Sequence, residues 1–309
     1  MPGALLAAVL LCNLADSRIT ESSGLVASSA YDDLLFTHND SGDTARFFEI
    51  DRSCRTHATF ELPGVQARDW EDMSRGPGRT LWLGDIGDNS AARVNGVLVH
   101  RVAEPGPAEG VRRLSPTSYR LRYADGPQDA EALLVHPRTG RLLIITKGFA
   151  GGGIYAAPLP LRPGTPNVMQ RVGEVTIPEV TAGDISPDGT RVVLRNYSAA
   201  YEWDVRGDDV ARAMRADPVR IPLPASKQGE AISYSRDGRS LIVSSEGLNA
   251  PVQEVKRDAP PSTSPAAAAK PPAAPATEQR DRRGWLLAGL AGLVVLIPVL
   301  LRSRSRRSR

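Results

Sequence analysis

GDISPDGTRVVLRN (183–196) and GEAISYSRDGRSLIVSSE (229–246) decide the fold, because the two stretches repeat one pattern. Each has a short apolar strand, a turn that contains Asp-Gly, and a second apolar strand. Asp-Gly is typical of hairpin turns, where glycine adopts a positive φ without steric strain. The pattern therefore predicts a β-hairpin in each stretch.

Three more stretches extend the repeat along the chain. WEDMSRGPGRTLWLGD (70–85) and AEALLVHPRTGRLLIITK (130–147) match it well, and SGLVASSAYDDLLFTHND (23–40) matches it more loosely. The spacing is read from one hydrophobic residue in each first strand. These residues are Leu25, Met73, Leu133, Ile185 and Ile232, at steps of 48, 60, 52 and 47 residues. Third and fourth apolar segments follow most hairpins, and four strands per 40–50 residues are typical of β-propeller blades.

The last unit ends near Val255 after three strands, and the segment SRIT (17–20) is free to supply its fourth strand. We therefore predict an all-β fold, a β-propeller over residues 17–255, with five blades closed by both chain ends. A six-blade ring is the alternative if the 60-residue step contains a degenerate blade, and a β-sandwich is the alternative explanation of the repeat. Trp203-Asp204 resembles the end of a WD-type strand.

The two ends of the chain differ from the repeat in composition. Residues 1–16 contain the apolar run ALLAAVLLC and are interpreted as an imperfect export signal, since no Lys or Arg precedes the run. Residues 256–283 are rich in Pro and Ala and predict an extended stalk. Residues 284–301 form an uncharged stretch long enough for one transmembrane helix, and residues 302–309 are an Arg-rich tail.

Charge is unevenly distributed along the chain. Residues 280–309 hold eight Arg and one Asp, a charge of +7, which leaves −4 for residues 1–279 out of a total of +3. The positive-inside rule then places the tail in the cytoplasm and the propeller outside the cell, with the membrane bound through the C-terminal helix. An acidic propeller argues against nucleic acid as a partner. Cys54 is interpreted as an ordinary small side chain, because Cys12 lies in the predicted signal.

The starts of first strands and the ends of second strands meet at one face of a propeller, and here these positions are often acidic. Converging carboxylates repel one another unless a cation neutralises them, and Ca²⁺ suits such a set of oxygens. We predict the metal ligands Glu71, Glu131, Asp184 and Glu230, with Asp184 displaced by one position. The predicted ligand-binding residues are Lys147, Arg195, Asp85, Asp88 and Glu246. The alternative is that these acids only satisfy backbone N–H groups and fix contacts between blades.

The segments GLVASSAYDDLLFTHNDSGD, ARDWEDM, LWLGDIGDN, DAEALLV, SPDG and QGEAISY together resemble a family of uncharacterised propeller proteins of GC-rich bacteria, secreted or membrane-anchored. This resemblance implies a propeller and no particular activity. The acidic inner ring is more distantly similar to gluconolactonase-like and phytase-like propeller hydrolases, but no catalytic residue can be transferred from them.

Two functions follow from these predictions. The first is a membrane-anchored extracellular propeller of the bacterial cell envelope that binds a protein or a small anionic ligand. The second is a Ca²⁺-dependent hydrolase of a phosphoester or lactone, with Lys147 and Arg195 as contacts for the anion. The sequence motifs of the common His-based hydrolases do not occur, so the sequence does not decide whether the protein is an enzyme.

Overall fold

The computed structural model describes residues 8–257. This part of the chain is an all-β propeller of 21 strands, with one helical turn, α1 (Val210–Ala213). The strands form five four-stranded blades, each with its first strand nearest the central axis.

The bounds of the strands follow the predicted repeat. Blade 1 consists of β2 (Ser22–Ala27), β3 (Leu34–Asn39), β4 (Arg46–Asp51) and β5 (Thr56–Glu61). Blade 2 consists of β6 (Trp70–Gly76), β7 (Thr80–Asp85), β8 (Val97–Ala103) and β10 (Thr117–Tyr123). Blade 3 consists of β11 (Ala130–Val135), β12 (Leu142–Thr146), β13 (Gly152–Ala156) and β14 (Asn167–Val175). Blade 4 consists of β15 (Ala182–Ile185), β16 (Arg191–Arg195), β17 (Ala199–Asp204) and β18 (Val219–Pro222). Blade 5 consists of β19 (Gly229–Tyr234), β20 (Ser240–Ser245), β21 (Pro251–Lys256) and β1 (Ala8–Asn13).

The first strands form a closed ring of five. Strand β2 neighbours β6, and the order continues through β11, β15 and β19 back to β2. The five hydrophobic residues that set the predicted spacing all lie in these strands and are buried. They are Leu25, Met73, Leu133, Ile185 and Ile232. The hydrophobic side chains of neighbouring blades pack against each other, which forms the core.

Antiparallel hairpins join the first and second strands, as the turn residues predict. Gly78, Gly140, Gly189 and Gly238 lie in these turns with φ between 69° and 70°. L-residues rarely adopt this conformation, so glycine is required there for a sterically relaxed turn.

The outer edges of the blades carry additional pairing. Strand β9 (Gly110–Arg113) pairs in parallel with β5 and adds a fifth strand to blade 1. Strands β10 and β14 also pair in parallel, so the sheets of blades 2 and 3 are joined into one eight-stranded sheet.

The predicted position of the closing strand was wrong. Strand β1, not residues 17–20, pairs antiparallel with β21, from Ala8 opposite Val255 to Asn13 opposite Pro251. Residues 17–20 instead lead from β1 to β2, and Arg18 bonds Asp16 at the surface. The apolar run closes the ring because its inner side packs on blades 5 and 1.

The interpretation of Cys54 as an unpaired small side chain was also wrong. Cys54 forms a disulfide with Cys12 of β1. Cys54 lies in the turn between β4 and β5 of blade 1, so the bond connects the last strand of the ring to the first blade. The prediction failed because it assigned Cys12 to a removable segment.

Below one end of the ring, side chains from blade 2 cross the central channel. The Arg75 guanidinium donates to Asp184 Oδ2 of blade 4 at 2.8 Å and to the Tyr234 carbonyl of blade 5 at 3.2 Å. Asp72 Oδ2 accepts from the backbone N–H groups of Leu133 and Gly183. These contacts connect blade 2 with blades 3, 4 and 5 across the central channel.

Several predicted segments lie outside the described residues. These are the stalk beyond residue 257, the transmembrane helix of residues 284–301 and the Arg-rich tail. Within residues 8–257, no helix has the length and apolar character needed to cross a bilayer. Residues 8–13 of the predicted export signal form β1, so cleavage after residue 16 would remove the closing strand; the export signal stays a prediction.

Candidate functional site

The acidic end of the central channel is called the mouth here. It lies where the first strands begin and the second strands end, and Arg195 of blade 4 interacts electrostatically with Glu230 there. The main charged side chains of the mouth come from the other four blades or from the segments leading into them. These side chains are Glu21, Asp40, Asp69, Glu71, Glu131, Lys147, Glu230 and Glu246. Seven carboxylates thus surround one lysine.

β-Bulges direct the glutamates into the mouth. The pairing of β6 with β7 shifts register between Trp70 and Asp72, and the residue between them is Glu71. Glu131 occupies the same place in blade 3, and Glu230 lies in the corresponding shift of blade 5. A bulge inserts an extra residue and re-aims its side chain. The pairing of β15 with β16 has no such shift, so Asp184 does not take the position of these glutamates.

Three carboxylates form the tightest group in the mouth. One oxygen each from Asp40, Asp69 and Glu71 lie within 4.8 Å of one another. Glu71 is only 4% exposed. Gly87 leaves room for this group, since a Cβ there would collide with Glu71 Oε1 and Asp69 Oδ2. Glycine at this position therefore lets the loop after β7 approach the carboxylates of Asp69 and Glu71 closely.

Lys147 neutralises another part of the mouth. Its Nζ donates to Glu131 Oε1 at 2.7 Å and lies 5.5 Å from the centre of the Tyr197 ring. Although burial opposes the charged form, the Glu131 carboxylate beside it raises the pKa of Lys147. Lys147 is thus a permanently charged ammonium within the acidic ring.

Glu230 and Glu246 complete the ring on the side of blade 5. Glu230 is 3% exposed, and its Oε2 has no hydrogen-bond partner among the described residues. Glu246 is half-buried, and its backbone forms an isolated β-bridge with the backbone of Glu21. A buried carboxylate oxygen without a donor is costly unless a proton or a cation neutralises it.

Burial is the main reason why the acids of the mouth hold their protons more tightly than usual. Together with neighbouring carboxylates, it raises the pKa of Glu230 to about 8 and that of Glu246 to about 7. It raises the pKa of Asp40 to about 6. Burial also raises the pKa of Glu131 to about 7, although Lys147 acts in the opposite direction. The ring therefore carries partial negative charge at neutral pH.

We expect the metal-free protein to lose stability as the pH rises from about 6.5 to about 8. An acid whose pKa is raised by folding stabilises the folded state when the pH is below its unfolded pKa, which is 4.5 for Glu. This stabilisation is lost as the pH rises through the folded pKa. For Glu131, Glu230 and Glu246 this loss extends to about pH 8. Burial lowers the pKa of His38 and His100 to about 4. These two histidines make the folded state more stable as the pH rises, but only below pH 6.5. Urea denaturation in EDTA measures the effect, and rising stability across this range would contradict it.

Three predicted site residues make structural contacts, although Asp85 and Asp88 also act electrostatically on Asp69 of the mouth. Asp184 accepts from Arg75 and from the Tyr234 N–H. Asp85 pairs with Arg93 at 2.8 Å, and Asp88 accepts from the N–H of Arg93. For these acids, the structure supports the alternative that they fix contacts between strands and blades.

Arg195 interacts electrostatically with Glu230 but directs its hydrogen bonds to the backbone. Its side chain is buried, and its guanidinium donates to the carbonyls of Asn196, Ala231 and Ser244. A Cβ at Gly229 would collide with that guanidinium. Arg195 is therefore a contact between blades 4 and 5, and its burial argues against its predicted role as a contact for an anionic ligand.

Four residues of the mouth were missing from the predicted set. Asp40 follows β3 as Lys147 follows β12 and Glu246 follows β20, so the repeat itself contains a signal for it. Asp69 directly precedes β6. Glu21 and Tyr197 carry no signal in the repeat, because they lie in segments that connect strands.

Comparisons with known proteins bear on the fold. No family model and no curated protein matches the sequence. Solved structures with a similar fold include a PQQ-bound aldose sugar dehydrogenase from Streptomyces coelicolor, at 10% identity and a TM-score of 0.47, covering 83% of this chain and 99% of that one. A putative gluconolactonase has 13% identity and a TM-score of 0.47, covering 83% and 93%. Neither activity is transferred to this chain.

Proposed function

We propose that this protein is a binding propeller whose mouth holds a divalent cation of the Ca²⁺ class. The observation that carries the proposal is the group of Asp40, Asp69 and Glu71, with carboxylate oxygens within 4.8 Å of one another. Ca²⁺ binds oxygens at about 2.3–2.6 Å, so two of its ligands can lie up to about 5 Å apart. The three oxygens therefore fit one ion.

Two features outside this group support the proposal. The unpartnered Oε2 of Glu230 faces the same acidic ring, and the absence of a side chain at Gly87 makes room for the carboxylates of Asp69 and Glu71. A bound cation supplies the positive charge that so many buried carboxylates need. We further propose that the propeller is extracellular and anchored by residues 284–301, and that it presents the cation-loaded mouth to a cell-envelope partner.

The hydrolase alternative is less well supported by the described residues. It requires basic side chains that hold an anionic phosphoester or lactone beside the metal. Arg195 is buried against backbone carbonyls, and Lys147 is paired with Glu131. The geometry therefore favours binding of a cation over turnover of an anion.

Calcium is expected to bind the chelator-treated chain and to raise its melting temperature. A ligand at 100 times its Kd stabilises the folded state by about 2.7 kcal/mol. Glu71→Gln should weaken Ca²⁺ binding at least about tenfold, or about 1.4 kcal/mol, because it removes a charged ligand. In EDTA the same variant should melt higher than the wild type, because one buried charge is removed.

Isothermal titration and thermal unfolding test this expectation. Glu109→Gln, at an exposed position outside the mouth, is the matched control and should behave as the wild type does. A wild-type chain that binds no Ca²⁺ at millimolar concentration, with an unchanged melting temperature, would refute the proposed function. Equal destabilisation of Glu71→Gln with and without Ca²⁺ would show that Glu71 is structural.

A further inference from the structure

We propose that Lys147 is a tethered cation that fills the second of two cation positions in the mouth. The inference rests on the proposed function, because it assigns the first position to a divalent ion at Asp40, Asp69 and Glu71. It adds that the mouth has a second position, which the chain occupies with its own ammonium group.

The arrangement of charges indicates two positions. One group of acids contains Asp40, Asp69 and Glu71, which lie together. Glu131, which also hydrogen-bonds Glu71, lies with Glu230 beside Lys147. A single divalent ion supplies two positive charges to a ring of seven carboxyl groups, which carries partial negative charge at neutral pH. A further positive charge beside Glu131 and Glu230 reduces the remaining repulsion.

The contacts of Lys147 are those of a bound ammonium ion. Its Nζ lies 2.7 Å from a carboxylate oxygen of Glu131 and 5.5 Å from the centre of the Tyr197 ring. Ammonium groups are bound in proteins by this combination of carboxylate and aromatic face. The lysine side chain is 24% exposed, so its position is accessible from the mouth.

An independent observation is the unsatisfied oxygen of Glu230. The residue is only 3% exposed, and its Oε2 has no hydrogen-bond partner among the described residues. Its charged neighbours are Glu131, Glu246, Lys147 and Arg195. One ammonium, already bonded to Glu131, does not satisfy this oxygen, whereas an ion with six to eight ligands could bind Glu131 and Glu230 together.

Removal of the tethered charge should therefore open the second position to a free ion. Lys147→Met keeps the length and apolar stem of the side chain and removes the ammonium. We expect the wild-type chain to bind one Ca²⁺ and the Lys147→Met chain to bind two, measured by isothermal titration and native mass spectrometry with Ca²⁺ alone. Lys256→Met, at an exposed residue on the opposite face, should still bind one.

The outcomes separate this inference from the proposed function. One ion or none in a folded Lys147→Met chain, when the wild type binds one, overturns the tethered cation. No ion in the wild type but one in Lys147→Met refutes the proposed function and supports the tethered cation. No ion in either chain overturns both.

A second measurement covers the case in which Lys147→Met does not fold in chelator. Refolding on addition of Ca²⁺, with two ions bound, supports the proposal, because the ions then replace the lost charge. Failure to refold at any Ca²⁺ concentration overturns it. The double variant Lys147→Met with Glu131→Gln removes both charges of the pair, and we expect it to bind one ion, as the wild type does. Two bound ions would show that Glu131 is not a ligand of the second position and would overturn the assignment.

Discussion

Replacing Arg75 by methionine is expected to lower the free energy of unfolding by about 3–5 kcal/mol. Arg75 is 7% exposed, and its guanidinium bonds Asp184 at 2.8 Å and the carbonyl of Tyr234 at 3.2 Å. Methionine preserves the apolar stem but leaves the buried Asp184 carboxylate without its counter-ion. Urea denaturation of the wild type and the variant measures the loss.

A double variant separates the charge pair from the packing. Asp184→Asn combined with Arg75→Met removes both charges, so it should be more stable than Arg75→Met alone. Arg236→Met is the matched control, because Arg236 pairs with the exposed Asp32 and should have little effect. A loss of less than about 1 kcal/mol in Arg75→Met would show that the contact across the channel contributes little.

Removing the disulfide is the second large change, with an expected loss of roughly 4 kcal/mol from the chain-entropy model. Cys12 and Cys54 are 42 positions apart, so their bond restricts a long loop in the unfolded chain. It also fastens β1 to blade 1, and β1 is the strand that completes blade 5. Cys54→Ala and Cys12→Ala should therefore give equal losses, measured by chemical denaturation without reductant.

The double variant Cys12→Ala with Cys54→Ala is the control for thiol chemistry. It should be as stable as either single variant, and reductant should not change it further. Wild-type protein in reductant should approach the same stability. A single variant that keeps the stability of the oxidised wild type would contradict a contribution of the bond to ring closure.

The repeat predicted the propeller because each blade repeats the same local chemistry. Turn glycines such as Gly189 and Gly238 mark the hairpins, and buried residues such as Ile185 and Ile232 mark the inner strands. The closing strand was assigned to the wrong residues because the sequence of β1, taken alone, resembles an export signal. Its pairing with β21 is a contact between the two ends of the ring, and local patterns do not encode such contacts.

The candidate site was predicted only in part, for reasons of geometry. The repeat aligns Glu71, Glu131 and Glu230 correctly, and the structure brings all three into the mouth. The missing information was the register shift, which aims these glutamates and leaves Asp184 to pair with Arg75. Whether an acidic residue faces a ligand or a buried arginine depends on such shifts.

The antiparallel pair of β1 and β21 also determines how the propeller is oriented when it is attached through one end of the described chain. Ala8 is opposite Val255, so the described chain begins and ends side by side, on the face opposite the mouth. A linker, a solid support or a fused domain at either end is therefore attached behind the propeller and leaves the acidic opening free. Molecules immobilised through one end or the other should show the same access to the opening, because both attachments give the same orientation.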